Sequence, residues 1–186
     1  MADINRKKYA QGLGGALSSG HVAHQTASGR TIVASKPEFD ENLTYTENQT
    51  MHQAAVRDAS MYASVAENHQ AYISKAEETG STAYAVAVAD WYSAPRVLAI
   101  DVDGWTGNPG ETIRVKARDT VMVASVLLVI RDAQGQVLEM GEAVPSEAGS
   151  AWWNYTTQSS MPLEPFPTVQ AIAFDLPGNR DSFIIN

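Results

Sequence analysis

The stretch TIRVKARDTVMVASVLLVI, residues 112–130, decides the fold of the second half of the chain. Apolar and charged residues alternate strictly from Thr112 to Ala117, which is the period of a β-strand with one buried face. From Val121 to Ile130 both faces are apolar, and a strand tolerates this only when something covers each side. The core of a β-sandwich is one cover, and we expect a helix from the first half or another subunit to supply the second.

Shorter strand signals surround this stretch and continue toward the end of the sequence. Glycine, asparagine and proline at residues 104–110 form a turn-rich corner, and residues 132–135 have the composition of a hairpin loop. The remaining candidate strands lie at residues 97–100, 137–140, 152–156, 169–174 and 183–185. Closely spaced turns over residues 95–186 predict an antiparallel sandwich of about seven strands.

Four segments of this region resemble the bacterial immunoglobulin-like, or fibronectin type III-like, β-sandwich domains. They are GETIRVKARD at 110–119, VASV at 123–126, DAQG at 132–135 and AFDLPGN at 173–179. The resemblance covers residues 96–186, about half of the chain, and implies an immunoglobulin-like antiparallel fold. Domains of this family typically occur as modules of exported surface proteins, and the fold itself hosts unrelated functions.

Residues 46–94 have the pattern of a helical segment. Thr46 and Gln49 have the spacing of a capping box, which favours a helix start at this point. Helix-forming residues then continue over 51–78, with apolar residues every three or four positions. Glu-Asn-His at 67–69 indicates a break or kink, so we expect an interrupted helix that buries one face.

A second, shorter helix is expected after the first one. Gly80 is placed to end the preceding helix, and Ser81 can cap a new helix over residues 83–89. Pro95 would end it. The alternation of residues 83–89 also fits a strand, and the sequence alone leaves that alternative open.

Residues 1–45 are predicted to form an extended arm that contains one short strand. Residues 10–29 are rich in Gly, Ser and Ala and lack apolar periodicity, so they bury little surface by themselves. RTIVAS at 30–35 reads as a short β segment suited to lie along a sheet edge. The fold class is therefore α+β, with an N-terminal extended arm and a helical segment followed by an immunoglobulin-like antiparallel β-sandwich.

The net charge of −8 is distributed unevenly along the chain. Residues 1–30 carry a balance of +3, residues 31–94 a balance of −6 and residues 95–186 a balance of −5. Because opposite charges steer association, the basic arm can attract the acidic body within one molecule or between copies. The alternative is a solvated tail with an accidental cluster of cations. The acidic body would repel a polyanion, which disfavours nucleic acid as a partner.

Composition excludes several classes of protein. The chain has 186 residues and no cysteine, which excludes disulfide scaffolds, thiolate zinc sites and cysteine nucleophiles. Its longest apolar run, Val126 to Ile130, is far shorter than the ~20 residues of a membrane helix, so we expect a soluble protein without a membrane span. No secretory signal is visible. A cytoplasmic location, or release to the exterior without a cleaved signal, is therefore expected.

The acidic residues Asp101, Asp103 and Glu111 surround the turn-rich corner. They could coordinate calcium, which prefers flexible loops rich in oxygen ligands, and Asp175 and Asp181 could add ligands from elsewhere in the sandwich. Asp before Gly is also ordinary turn chemistry, and the other ligands of a calcium loop are not at the required positions. No metal or cofactor residue is assigned, and calcium binding at this corner stays open.

Aromatic residues are the remaining candidates for a binding surface. Residues 90–92 and 152–155 combine aromatic and polar side chains, as sugar-binding platforms do, so a carbohydrate is a candidate partner. Adjacent residues of a strand point to opposite faces, so only one of Trp152 and Trp153 can enter the sandwich core. The other is exposed, covered by a helix or used at an interface.

These patterns favour a self-assembling structural protein, a component of a filament, an appendage or a particle, whose N-terminal arm links subunits into a homo-oligomer. The candidate interface residues are Arg6, Lys7, Lys8, Thr31, Ile32, Val33, Trp152 and Trp153. The alternative function is a non-catalytic carbohydrate- or protein-binding module of the adhesin type. The four histidines are scattered and no Gly-X-Ser-X-Gly elbow is present, so no catalytic residue is assigned and an enzyme is not expected.

Overall fold

The computed structural model describes residues 15–18, 20–26, 29–36 and 44–186. The chain divides into two compact units, with the boundary between Asn48 and Gln49. The described part of the first unit consists mainly of strands, and the second unit contains helices and strands. The chain is therefore of mixed α and β class.

The first unit contains a three-stranded antiparallel sheet with the strand order β1-β2-β3. Its strands are β1 (Gly15–Ser18), β2 (His21–Gln25) and β3 (Thr31–Ser35). β3 coincides with the strand predicted at residues 30–35, whereas β1 and β2 lie in the stretch predicted to be a flexible arm. The amino-acid composition does not predict β1 and β2, because these strands form through backbone pairing and not through apolar periodicity. Among the side chains described in this sheet, the only buried apolar one is that of Ala23.

Three α-helices follow in the described chain, α1 (Glu47–Ala66), α2 (Gln70–Thr79) and α3 (Ala83–Trp91). α1 begins directly after Thr46, as the capping-box spacing predicts, and the predicted break separates α1 from α2. At that break His69 Nδ1 accepts a hydrogen bond from Ala71 N at 3.2 Å, which caps α2. Gly80 ends α2 with a φ of 68°, a left-handed conformation that glycine adopts without strain.

α3 settles the ambiguity at residues 83–89 in favour of a helix. Its cap is Thr82 and not Ser81, because the extended backbone at Thr82 lets the hydroxyl oxygen accept from Ala85 N at 3.1 Å. The three helices contribute one residue each, Ala63, Tyr72 and Ala87, to a small core in which all three are fully buried. Within the described ranges, no helix is long and apolar enough to cross a membrane.

Seven antiparallel strands complete the second unit in the order β10-β9-β6-β7-β8-β5-β4. Their bounds are β4 (Arg96–Asp101), β5 (Thr112–Arg118), β6 (Val123–Arg131), β7 (Val137–Pro145), β8 (Trp152–Thr156), β9 (Thr168–Asp175) and β10 (Arg180–Ile185). Every strand predicted in this half is present. The two end strands also meet, since Val97 N in β4 donates to Asp181 Oδ2 in β10 at 2.9 Å. The sheet therefore closes almost into a barrel.

The inward-facing residues of β5, β6 and β9 form the centre of the core of this unit. They are Ile113, Val115, Ala117, Val126, Leu128, Ile130, Val169, Ala171 and Ala173. The strict alternation predicted from Thr112 onward is confirmed, because Ile113 and Val115 are fully buried while Thr112 and Arg114 are exposed. This alternation fixes which side chains of β5 face outward.

The stretch with two apolar faces differs from its prediction at its beginning. β6 starts at Val123, because Asp119 Oδ2 accepts from Val121 N and Met122 N at 3.0 Å each and holds both residues in a turn. The expected helix contact falls on Val121 and on Leu176, in the loops before β6 and after β9. The sequence pattern locates the apolar residues correctly. It does not show that the Asp119 carboxylate holds the first two of them in a turn.

Candidate functional site

The predicted interface residues of the first unit lie on β3. All five side chains of β3 are exposed, including 45% of Ile32 and 55% of Val33. β3 pairs with β2 on one side, with Val33 opposite Ala23, and forms an edge of its sheet. Successive strand residues point to opposite faces, so each face of this edge carries an exposed β-branched side chain. Arg6, Lys7 and Lys8 fall outside the described residues.

The edge formed by β3 lacks the usual protection against strand pairing. Native edges are commonly blocked by charge, proline or a bulge. The sequence Thr-Ile-Val-Ala-Ser of β3 contains no charge and no proline, and Arg30 and Lys36 lie just beyond its two ends. The backbone register between β2 and β3 is regular over all five residue pairs. This edge can therefore accept another strand.

The two neighbouring tryptophans of β8 point to opposite faces, as predicted. Trp153 lies in the core with 7% of its surface exposed and is paired in register with Val115. Trp152 is half-buried on the outer face, where Arg114 Cζ and Lys116 Nζ lie 5.0 and 5.4 Å from its ring centroid. Such distances allow cation–π attraction. Trp152 therefore has the more exposed ring of this pair and lies on the outer face of the sheet.

The turn-rich corner uses its carboxylates to hold backbone and side chains together. Glu111 accepts from Thr106 N at 2.7 Å and from Asn108 N at 3.1 Å, and the Thr106 hydroxyl also donates to it. These hydrogen bonds lower the pKa of Glu111. Asp101 accepts from Arg114 and from Asp103 N, and these two interactions lower its pKa. Such bonding is turn chemistry, and among the residues with assigned positions no acidic or histidine cluster could hold a metal ion.

A buried polar network involves all three helices. Tyr62 Oη and Tyr72 Oη lie 2.7 Å apart, and Tyr72 Oη donates to Asp90 Oδ2 at 2.7 Å. Asp90 is only 1% exposed, so it cannot order the hydroxyl groups of a sugar as the sequence suggested. The other carboxylate oxygen of Asp90 and Oδ1 of Asp119 are both buried and have no hydrogen-bond donor in the described part of the chain.

This environment opposes ionisation of Asp90. The pKa of Asp90 is raised to about 6, because the upward effects of burial and of the nearby carboxylates of Asp119 and Asp175 exceed the downward effect of the hydrogen bond from Tyr72. Burial also raises the pKa of Asp175, although Asn179 and Gly178 donate hydrogen bonds to that carboxylate. Asp90 is therefore a buried acid that favours its neutral form under mildly acidic conditions.

A second buried carboxylate behaves in the opposite way. Glu139 is 8% exposed and accepts three hydrogen bonds, from Tyr155 Oη at 2.7 Å and from Gln158 N and Ser159 N at 2.8 Å each. Burial alone would raise the pKa of Glu139, but these donors lower it below its ordinary value. Gly141 makes room for this arrangement, since a Cβ at that position would lie 2.8 Å from the Tyr155 ring.

Neither Asp90 nor Glu139 was recognised as a buried acid from the sequence. The sequence places Asp90 only in a candidate aromatic platform, and it does not single out Glu139. The alternation of β7 does place Glu139 on the inward face together with Ala143, which is the available signal. Both carboxylates hold elements of the fold together, and Tyr92 alone of residues 90–92 is largely exposed.

Comparisons with known proteins leave the function to be inferred from this geometry. No protein-family model, no curated protein and no solved structure matches the chain. The features available for a functional argument are therefore the open edge of β3, the outer face around Trp152 and the cavities of the second unit.

Proposed function

We propose that this chain is a self-assembling structural protein and that its first unit links one subunit to the next through β3. The observation that carries the proposal is the unprotected edge of β3, with Ile32 and Val33 exposed on its two faces. Addition of a strand from a second copy would pair with the backbone on the side of β3 that has no neighbouring strand among the described residues, and it would cover both side chains.

The energetics of the first unit also favour an external contact. A small sheet needs an apolar face packed on something else to be stable in water. Among the side chains described in this sheet, Ala23 is the only buried apolar one, and burying an alanine methyl group contributes about 1 kcal/mol. The exposed surfaces of Ile32 and Val33 can contribute the missing burial once a second subunit covers them.

Charge complementarity also favours association between subunits. Residues 1–30 carry a balance of +3, whereas residues 31–186 carry −11, so the first residues of one copy attract the acidic surface of another. Arg6, Lys7 and Lys8 supply most of the positive charge. This contribution is long-ranged and is weakened by salt, in contrast to strand pairing at β3.

We also propose that the seven strands form a fibronectin type III-like variant of the immunoglobulin fold. Pairing joins β4, β5 and β8 in one group and β7, β6, β9 and β10 in another, which is the division expected of a two-sheet sandwich. In the strand register, two residue pairs, Val144 with Asn154 and Pro145 with Trp153, join the two groups between β7 and β8. The grouping supports a rigid module that a linking segment can join into an array.

The assembly proposal is tested by measuring the mass of the full chain by sedimentation at several concentrations. The parent should form oligomers as the concentration rises, and the double variant Ile32→Asp, Val33→Asp should stay monomeric because charge is placed in the strand contact. The triple variant Arg6→Gln, Lys7→Gln, Lys8→Gln should associate more weakly than the parent, mainly at low salt.

Val56→Asp is the matched control for Val33→Asp. Val56 lies on α1 and is 58% exposed, close to the 55% of Val33, so the same change is made at a similar exposure away from β3. The control should assemble like the parent. A parent that remains monomeric at all concentrations, or a control that dissociates as fully as the β3 variant, would exclude β3 as the link.

The outer face around Trp152 supports a second candidate function, a module that binds acidic carbohydrate. The half-buried ring lies beside Arg114 and Lys116, which provides an aromatic surface next to positive charge. A monomer should then be retained on immobilised polygalacturonate but not on neutral dextran. Trp152→Ala should abolish retention, whereas Tyr92→Ala, a change at another exposed aromatic residue, should preserve it.

A further inference from the structure

A cavity of the second unit lies between the loop that precedes β6 and the loop that joins β7 to β8. Its volume is about 550 Å³, within the usual range for small-molecule sites. Its wall is mostly apolar and includes Val121, Met122, Pro145 and Trp153. Arg118 and Asp119 lie at its boundary. The cavity can therefore accommodate an apolar group close to a positive charge.

A second, shallower hollow shares Arg118 and Asp119 with this cavity. It also contains Arg96 and the hydroxyl groups of Ser93 and Thr120, whose oxygens are 3.3 Å apart. Both hollows are therefore adjacent to the end of β5. One of them offers apolar walls, and the other offers guanidinium and hydroxyl donors.

Arg96 and Arg118 are directly opposite each other in the antiparallel pair of β4 and β5. Like charges in this relation repel, and a sheet normally avoids them. Both side chains are exposed, and neither forms an ion pair with any residue whose position is described. An anion bound between them would remove the repulsion and accept hydrogen bonds from both guanidinium groups.

We propose that the two hollows together bind one small amphiphilic anion, with its acidic group between Arg96 and Arg118 and its apolar body in the cavity beside Trp153. This site is independent of self-association through β3. The ligand class is a molecule with an apolar body and one carboxylate, phosphate or sulfate group.

The local charge on β4 and β5 is positive. Four of the six cations in residues 95–186 lie on these two strands, namely Arg96, Arg114, Lys116 and Arg118. Residues 95–186 as a whole carry a balance of −5, but at physiological salt the effect of distant carboxylates is screened beyond about 8 Å. Asp119 also lines both hollows; its Oδ2 accepts from Val121 N and Met122 N, and its Oδ1 is buried.

The test uses two fluorescent probes of similar size, the anion 1-anilinonaphthalene-8-sulfonate and the uncharged N-phenyl-1-naphthylamine. The sulfonate should bind the full chain with a stoichiometry of one. Arg118→Gln and Arg96→Gln should each weaken its binding by roughly tenfold, the size expected for a charge-assisted hydrogen bond. Both changes should leave the affinity for the uncharged probe within about twofold, because that probe uses only the apolar wall.

Two further variants test where on the protein the probes bind. Ala148→Trp places a large side chain into the cavity from the loop between β7 and β8 and should abolish binding of both probes. Arg57→Gln removes one exposed positive charge from α1 and should leave both affinities unchanged. Equal losses in Arg57→Gln and Arg118→Gln, or unchanged binding of both probes in Ala148→Trp, would overturn the proposal because the probes would then bind elsewhere.

Competition identifies the acidic group of the ligand. Decanoate, decyl phosphate and decyl sulfate, each below its micellar concentration, should displace the sulfonate probe in an order set by the head group, whereas decanol should not displace it. Displacement by decanol as strong as that by decanoate would show that Arg96 and Arg118 have no role in recognition. Failure of all three anions to displace the probe would also overturn the proposal.

Discussion

The two sheets of this chain are built by the same antiparallel pairing and differ in what their side chains do. The sheet of the second unit buries an inward row on each of β5, β6 and β9. In the sheet of the first unit Ala23 is the only buried apolar residue among the described side chains, and every side chain of β3 is exposed. Backbone pairing alone therefore gives a strand its shape, while burial decides whether the sheet is stable without a partner.

The difference appears in the sequence as periodicity. Ile113, Val115 and Ala117 alternate with polar residues, so one face of β5 is committed to a core. In β3, Ile32 and Val33 are adjacent and point to opposite faces, so the sequence does not assign either face to a core. A strand of the second kind is suited to a contact between molecules.

The largest expected effect is at Trp153. Trp153→Ala should lower the free energy of unfolding of the second unit by roughly 3–5 kcal/mol, because it removes a core side chain and leaves a cavity. Trp152→Ala should cost less than about 1 kcal/mol, since its half-buried ring contributes partial burial and cation–π contacts. Chemical denaturation monitored by circular dichroism measures both changes. Equal losses would mean that the two faces of β8 are buried to the same extent.

The next effect concerns Asp90, which ties the helices together. Its folded-state pKa is raised to about 6 from an ordinary value of 3.8, so its stabilising contribution is complete below about pH 4 and is lost as the pH rises through 6. The corresponding change in the free energy of unfolding is roughly 2–3 kcal/mol. Asp90→Asn replaces the neutral acid by an amide, so it should resemble the parent at pH 4.5 and be more stable than the parent at pH 7.5.

Thermal unfolding at a series of pH values measures this difference. Asp58→Asn, a change at an exposed carboxylate of α1, serves as the control and should follow the parent at every pH. Parallel curves for Asp90→Asn and the parent between pH 4 and pH 7.5 would show that Asp90 does not take up a proton in the folded state.

A smaller effect is expected at Glu139, with a dependence of stability on pH opposite to that of Asp90. The pKa of Glu139 is lowered by donors that include Tyr155 Oη, so its contribution is present above the ordinary glutamate pKa and is lost as the pH falls through the lowered value. Tyr155→Phe removes one donor from this buried carboxylate and should cost about 1–2 kcal/mol at pH 7. The loss should become smaller as the pH falls through the lowered pKa of Glu139. A loss independent of pH would assign the effect to packing.

The elements that the sequence predicted are those whose signal is local. The strand at residues 112–117 follows from alternation, the helix start after Thr46 from cap spacing, and the opposite orientation of Trp152 and Trp153 from strand geometry. Each depends on residues a few positions apart. For these features one sequence is sufficient.

The features that the sequence missed depend on residues far apart in the chain. Asp90 is enclosed by Tyr72, 18 positions away, and Glu139 receives its donors from Tyr155 and the residues after it. The opposition of Arg96 and Arg118 exists only through the register of β4 with β5. β1 and β2 were missed for a related reason, since their strand character comes from pairing and not from apolar periodicity.

The smallest expected effect is that of Ile32→Ala, on β3 of the first unit. At concentrations where the protein is monomeric, Ile32→Ala should change the free energy of unfolding by less than about 0.5 kcal/mol, the range of exposed substitutions. Ile184→Ala on β10 is the matched change, because Ile184 is 50% exposed and Ile32 is 45% exposed. As the protein concentration rises, association should stabilise the parent by mass action, and Ile32→Ala should lose part of that gain. Ile184→Ala should keep it. If both variants follow the parent at every concentration, the exposed side chain of β3 contributes nothing to assembly and the first unit is not the link between subunits.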